Sequence, residues 1–158
     1  MNGASSMSES PRRWSLLLGG RLAAAVLGAV FLYAGLKKAQ DVAAFFHALE
    51  SFRIFPAPAA VVLAYFVPAL EIVAGAAVLV TRLRRAGALV AAALLACYFM
   101  LLAVSWARGL DVTCGCFGEG AGAANYPLLL GQDAVLLVMA ALVFRWSVPA
   151  LKPLPSTP

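Results

Sequence analysis

The chain reads as an all-α membrane protein: a four-transmembrane-helix up-down bundle with a short amphipathic outer helix in the first loop. Three observations predict this. Hydrophobic residues make up 63% of the 158, where soluble domains seldom pass about half, and the mean hydropathy is +0.91. Only 12% of residues are charged, and they gather between apolar runs. Four runs approach the ~20 residues a helix needs to cross ~30 Å of hydrocarbon: Leu16–Leu36, Ala59–Val80, Ala86–Trp106 and Leu128–Trp146. Unpaired backbone groups are too costly in lipid, so runs of this length are helical.

Residues 1–15 read as a flexible, Ser-rich tail before one compact domain at 16–148. Arg12-Arg13 ahead of Leu16-Leu17-Leu18 has the look of a secretion leader. The apolar stretch is about twice the usual leader core, and Lys37-Lys38 follow it, which predicts an uncleaved first span. Small residues such as Ala23-Ala24-Ala25 and Ala74-Gly75-Ala76-Ala77 allow close helix approach. In the first outer loop, Lys37–Pro58, Asp41 is placed as an N-cap. Val42, Phe45, Leu49 and Phe52 then recur at helical spacing, with Ala43, His47, Glu50 and Ser51 opposite. This amphipathic helix is read either as a surface anchor or as a lid over the outer mouth of the bundle. Thr81–Arg85 is short enough to force an antiparallel hairpin of spans two and three. The second outer loop, Ala107–Pro127, is glycine-rich. Beyond span four, 149–158 carries four prolines and reads as an extended tail.

The net charge of +5 is not a nucleic-acid signature, because Lys and Arg in such a chain report topology. Arg12, Arg13, Arg82, Arg84, Arg85, Arg145 and Lys152 fall on one side; Lys37, Lys38, Arg53 and Arg108 fall on the other. The positive-inside rule then puts both termini in the cytoplasm of a bacterial inner membrane. The second outer loop faces the oxidising side, where disulfides persist.

That loop holds Cys114-Gly115-Cys116, two of the three cysteines. Thiols at i and i+2 can come within disulfide range, and Gly115 eases the tight ring. A strained bridge is labile, as thiol–disulfide exchange requires. Two unreactive loop cysteines are the bland alternative. Two thiolates also suit Cu(I) or zinc, but no histidine adjoins them, and no metal ligand set is assigned. Arg108, six residues before Cys114, is a candidate for lowering a thiol pKa or for anchoring at headgroups; Asp111 and Glu119 oppose the first role. Glu71 lies mid-span, where a charge costs about 2.5–3.5 kcal/mol, so it should face the bundle interior. Arg21 is its expected partner by depth. Asp133, one turn into span four, is expected to be neutralised by Lys37 or Lys38. Glu71, Asp133, Arg21 and Lys37 are therefore candidates for a proton path or a quinone contact. Cys97 is expected to be a buried small hydrophobe and His47 to be solvated.

These residues together resemble the MauE branch of the DoxX-like membrane proteins. The matching features are Phe31-Leu32-Tyr33-Ala34-Gly35-Leu36-Lys37-Lys38, Phe45 to Pro56, Pro68-Ala69-Leu70-Glu71 with Gly75, Arg108-Gly109-Leu110 and Cys114-Gly115-Cys116-Phe117-Gly118. The resemblance covers roughly Arg21 to Val143. It departs at Gln132-Asp133, where Arg-Asp is expected, and at Val42, where a proline often follows the aspartate. It implies a four-helix protein tied to thiol–disulfide metabolism, associated with methylamine dehydrogenase maturation beside a thioredoxin-like partner. The leading expectation is a thiol–disulfide redox protein that passes electrons between an extracytoplasmic thioredoxin-like partner and a membrane carrier such as quinone. A non-catalytic assembly subunit and a metal-handling protein are the alternatives.

Overall fold

The computed structural model of the chain describes residues 11–110 and 125–147, with side chains from residue 19 onward. Cys114 and Cys116, with Asp111 and Glu119, lie outside the described residues, as do 1–10 and 148–158. Five helices are described: α1 (Pro11–Gln40), α2 (Val42–Ser51), α3 (Ala57–Leu79), α4 (Arg84–Ala107) and α5 (Tyr126–Trp146). Residues 11–15, expected in the tail, are helical, and α1 runs past Leu36 to take Lys37 and Lys38 into its register.

Gly19–Gln40, α3, α4 and α5 are each long and apolar enough to cross a membrane. Their large outward side chains are apolar: Val62, Phe66, Val73, Leu128, Val135 and Val138 are all exposed. Such a surface is stable against acyl chains and unfavourable in water. The helices form a ring in which α1 packs on α3 and α5, and α4 packs on α5 and α3. The loop end of the bundle bears α2 and both stems of the 111–124 connection. The end bearing the Val80–Leu83 turn and the last turn of α5 is the terminal end.

The α1–α3 seam is the closest contact. A Cβ on Gly28 would meet Leu79 at 2.7 Å and the Gly75 carbonyl at 3.0 Å; one on Gly35 would meet the Pro68 carbonyl at 2.9 Å. Only glycine lets these backbones touch, so the seam fixes the register: Gly28 sits level with Gly75–Leu79, and Gly35 with Pro68–Ile72. On that register α3 extends about 12 Å beyond the end of α1, at ~1.5 Å per residue. The chain fills this step with α2. Asp41 caps it, its Oδ1 accepting from the Ala44 amide at 2.9 Å, as its position before the apolar repeat predicts. Phe45 and Leu49 then bury themselves against Ala60, Ala64 and Val67 of α3. α2 thus takes over the face that α1 vacates, and His47 stays on its exposed side, 3.3 Å from Glu50.

Packing divides into three clusters. Leu27, Phe31, Val78, Ala91, Leu95 and Val143 belong to the core of the terminal half. The α2–α3 cluster fills one side of the loop end, and Leu102 with Tyr126 fills the other.

Candidate functional site

Lys38, Glu71, Tyr98 and Asp133, one from each spanning helix, line a single small void between the clusters. Lys38 and Glu71 are 3% and 2% exposed. The Lys38 ammonium donates to Glu71 Oε1 at 2.5 Å, and the Tyr98 hydroxyl donates to the same oxygen at 2.6 Å. Lys38 Nζ also lies 5.0 Å from the centre of the Tyr98 ring and 5.3 Å from that of Phe45, within cation–π range.

The meeting of Lys38 with Glu71 follows from helix geometry. Side chains tilt toward the N-terminus of their own helix. In an antiparallel pair, Lys38 therefore leans toward the terminal end and Glu71 toward the loop end, and the two close on each other across Gly35. Glu71 Oε2 and Asp133 Oδ2 are buried with no hydrogen-bond partner among the described residues. The void they share, about 30 Å³, has room for a water molecule.

Two expected partners fall elsewhere. Arg21 is exposed; neighbouring Gly20 packs against Trp146, at the terminal end. That is about 21 Å of helix rise from Gly35. The pairing of Arg21 with Glu71 is corrected to Lys38. The depth match failed because α1 and α3 are staggered rather than level. Lys37 is exposed and lies 5.9 Å from the Tyr33 ring centre, so Lys38, not Lys37, is the lysine beside Asp133. A sequence signal for Lys38 does exist. It continues the buried stripe Ala24, Leu27, Phe31, Ala34 at alternating spacings of three and four, and Lys37 does not. Tyr98 has no such signal, since a tyrosine in an apolar run reads as packing.

Beside this cluster lies a cavity of about 320 Å³. α2 supplies Phe45 and Leu49 to its wall, α3 Val67, and α4 Leu101; Tyr98, Gln132 and Asp133 provide its polar groups. Cys97 also lines it and is exposed, contrary to the expectation of burial. The buried stripe of α4 runs through Ala88, Ala91, Leu95 and Leu102, which turns Cys97 off the core.

The stems of the 111–124 connection are anchored at this end. α4 ends in a Schellman turn: Gly109 has φ 63°, its amide donates to Trp106 at 3.0 Å, and the Leu110 amide donates to Ser105 at 3.1 Å. The Tyr126 hydroxyl then donates to the Leu110 carbonyl, and Asn125 caps α5 through Leu128. Arg108 is the exposed C-cap of α4, at the start of this clasp. Leu102 and Leu129 belong both to the clasp cluster and to the cavity wall.

The profile of the family described as methylamine utilisation protein MauE matches residues 13–146. The chain belongs to the MauE family. It is 33% identical over 128 residues to the methylamine utilization protein MauE of Paracoccus denitrificans, covering 80% of this chain and 68% of the relative. No solved structure matches it. In this MauE chain Gln132 stands where the resemblance leads one to expect arginine. The site therefore holds one lysine, Lys38, against two carboxyl groups, with a neutral amide next to Asp133.

Proposed function

We propose that this MauE chain is a membrane thiol–disulfide redox protein, with Cys114 and Cys116 as the reacting pair. A thioredoxin-like extracytoplasmic partner brings two thiols. One, as thiolate, attacks the Cys114–Cys116 disulfide to form a mixed disulfide and release one cysteine thiol. The partner's second thiol then attacks its own sulfur in the mixed bond. The partner leaves oxidised, and two electrons and two protons remain on Cys114 and Cys116. A carrier in the bilayer removes them. The process supports maturation of an enzyme such as an amine dehydrogenase, in keeping with the methylamine utilisation role named for the relative.

The observation that supports the reading is the anchoring of the 111–124 connection, whose sequence carries both thiols. Its two stems are hydrogen-bonded together through Leu110 and Tyr126, at the end of the bundle that also holds the cavity and the Lys38–Glu71 pair. Arg108 sits at the first stem, where its charge favours a nearby thiolate. The test is trapping in the native membrane. A Cys116→Ser variant should accumulate a mixed disulfide through Cys114 to a thioredoxin-like protein, identified by mass spectrometry. Full maturation of the amine dehydrogenase with both cysteines changed to serine would leave only a scaffold role.

A further inference from the structure

We propose that the 320 Å³ cavity is the binding site for the ring of a quinone, with Gln132 and Asp133 as its polar contacts. The inference rests on the thiol–disulfide reading only for the source of the electrons.

Four features select this chemistry. The cavity lies among helices that span the bilayer, so its ligand arrives from lipid. Its volume is at the low end of the ~300–1,000 Å³ typical of small-molecule sites. That admits one substituted ring and leaves a long tail outside, against the exposed Phe66 and Cys97 on the same wall. The wall is apolar except at Tyr98, Gln132 and Asp133, which suits a flat apolar ring with polar atoms at its edge rather than a sugar or a peptide. An acyl chain, by contrast, needs no polar contact, whereas Gln132 and Asp133 both stand on this wall.

Gln132 and Asp133 are adjacent on α5 and do different work. The Gln132 amide donates to a quinone carbonyl. Asp133 accepts from the hydroxyl that appears at that edge on reduction. Behind them Lys38 holds the Glu71 carboxylate, so a second negative group near the ring is already paired. The step balances as two thiols plus one quinone giving one disulfide plus one hydroquinone. Two S–H bonds break, one S–S bond forms, and two O–H bonds form on the ring.

The test uses the full chain in nanodiscs with a decyl-substituted benzoquinone and its hydroquinone, binding being measured by equilibrium partition against empty nanodiscs. Saturable binding is expected, retained in the Cys114→Ser/Cys116→Ser variant. Asp133→Asn should weaken the hydroquinone by about tenfold, as loss of a hydrogen bond to a charged group implies, and should change quinone affinity far less. Gln132→Leu should do the reverse. A merely structural role would move both ligands together, and that result overturns the assignment. Ala48→Phe, which fills the cavity wall, should abolish binding while circular dichroism stays unchanged. Non-saturable uptake, or equal competition by a plain decyl alkane, also overturns it. Partner trapping at Cys114 without quinone binding sinks this inference and leaves the thiol reading standing. Quinone binding without thiol exchange does the opposite.

Discussion

Replacing Lys38 with methionine isolates the energetic role of the buried pair. Both groups are almost fully buried, so the substitution leaves Glu71 in a low-dielectric interior with Tyr98 as its remaining donor. Removing one partner of a buried ion pair costs about 3–5 kcal/mol, because the other charge stays desolvated. Tyr98→Phe removes the hydrogen bond to Glu71 and leaves the Lys38 pair in place; such bonds in membrane proteins average about 0.6 and reach about 1.7 kcal/mol. The two magnitudes predict a clear order, Lys38→Met well above Tyr98→Phe. The cycle is closed with Glu71→Gln. The introduced amide is neutral and still accepts from Tyr98, so the Lys38→Met/Glu71→Gln double variant should be more stable than Lys38→Met alone. Unfolding of the purified protein in mixed micelles, titrated with dodecyl sulfate and followed by helicity, measures each corner. A Lys38→Met cost below about 1 kcal/mol would refute the reasoning. So would a double variant less stable than Lys38→Met alone, because the cost would then not come from an unpaired buried carboxylate.

Gly35→Ala should destabilise by about 1–3 kcal/mol, the usual cost of overpacking, since its Cβ would lie 2.9 Å from the backbone carbonyl of Pro68, which cannot swing aside. The same titration reads it, with Gly131→Ala, which meets nothing within 4 Å, as the near-silent control. The topology is tested on intact cells after mild reduction. A membrane-impermeant maleimide should label Cys114 and Cys116, and labelling only after permeabilisation would reverse the orientation.

The spans and α2 were legible because their signals are local. Hydropathy over twenty residues, the Asp41 cap and the Phe45–Leu49 spacing each refer only to neighbouring residues. Glu71 was legible for a related reason: a charge within an apolar run has few places to go. Its partner was not. Pairing it with Arg21 requires the start of span one to lie level with the end of span two, whereas the glycine contacts slide the two helices by about two turns, a relation between two distant segments. The exposure of Cys97 is likewise not readable from sequence, since only the packing partners of α4 decide which of its stripes is inward. The cavity has no sequence signature at all, because it is the space left where four helices fail to fill the loop end.

Because α1 stops at Gln40 instead of continuing through the bundle, its last carbonyls lie beside the site. Lys37 and Lys38 occupy that last turn. The aligned peptide dipoles leave roughly half a negative charge at a helix C-terminus, an effect confined to the final turn. Lys38 is therefore held by two sources of negative potential, the carboxylate of Glu71 in front and the end of its own helix behind. A lysine placed mid-helix would have only the first. The step between α1 and α2 is thus an electrostatic element as well as a geometric one, and a chain that ran straight from α1 into α2 would lose one of the two fields that make a cation tolerable at this depth.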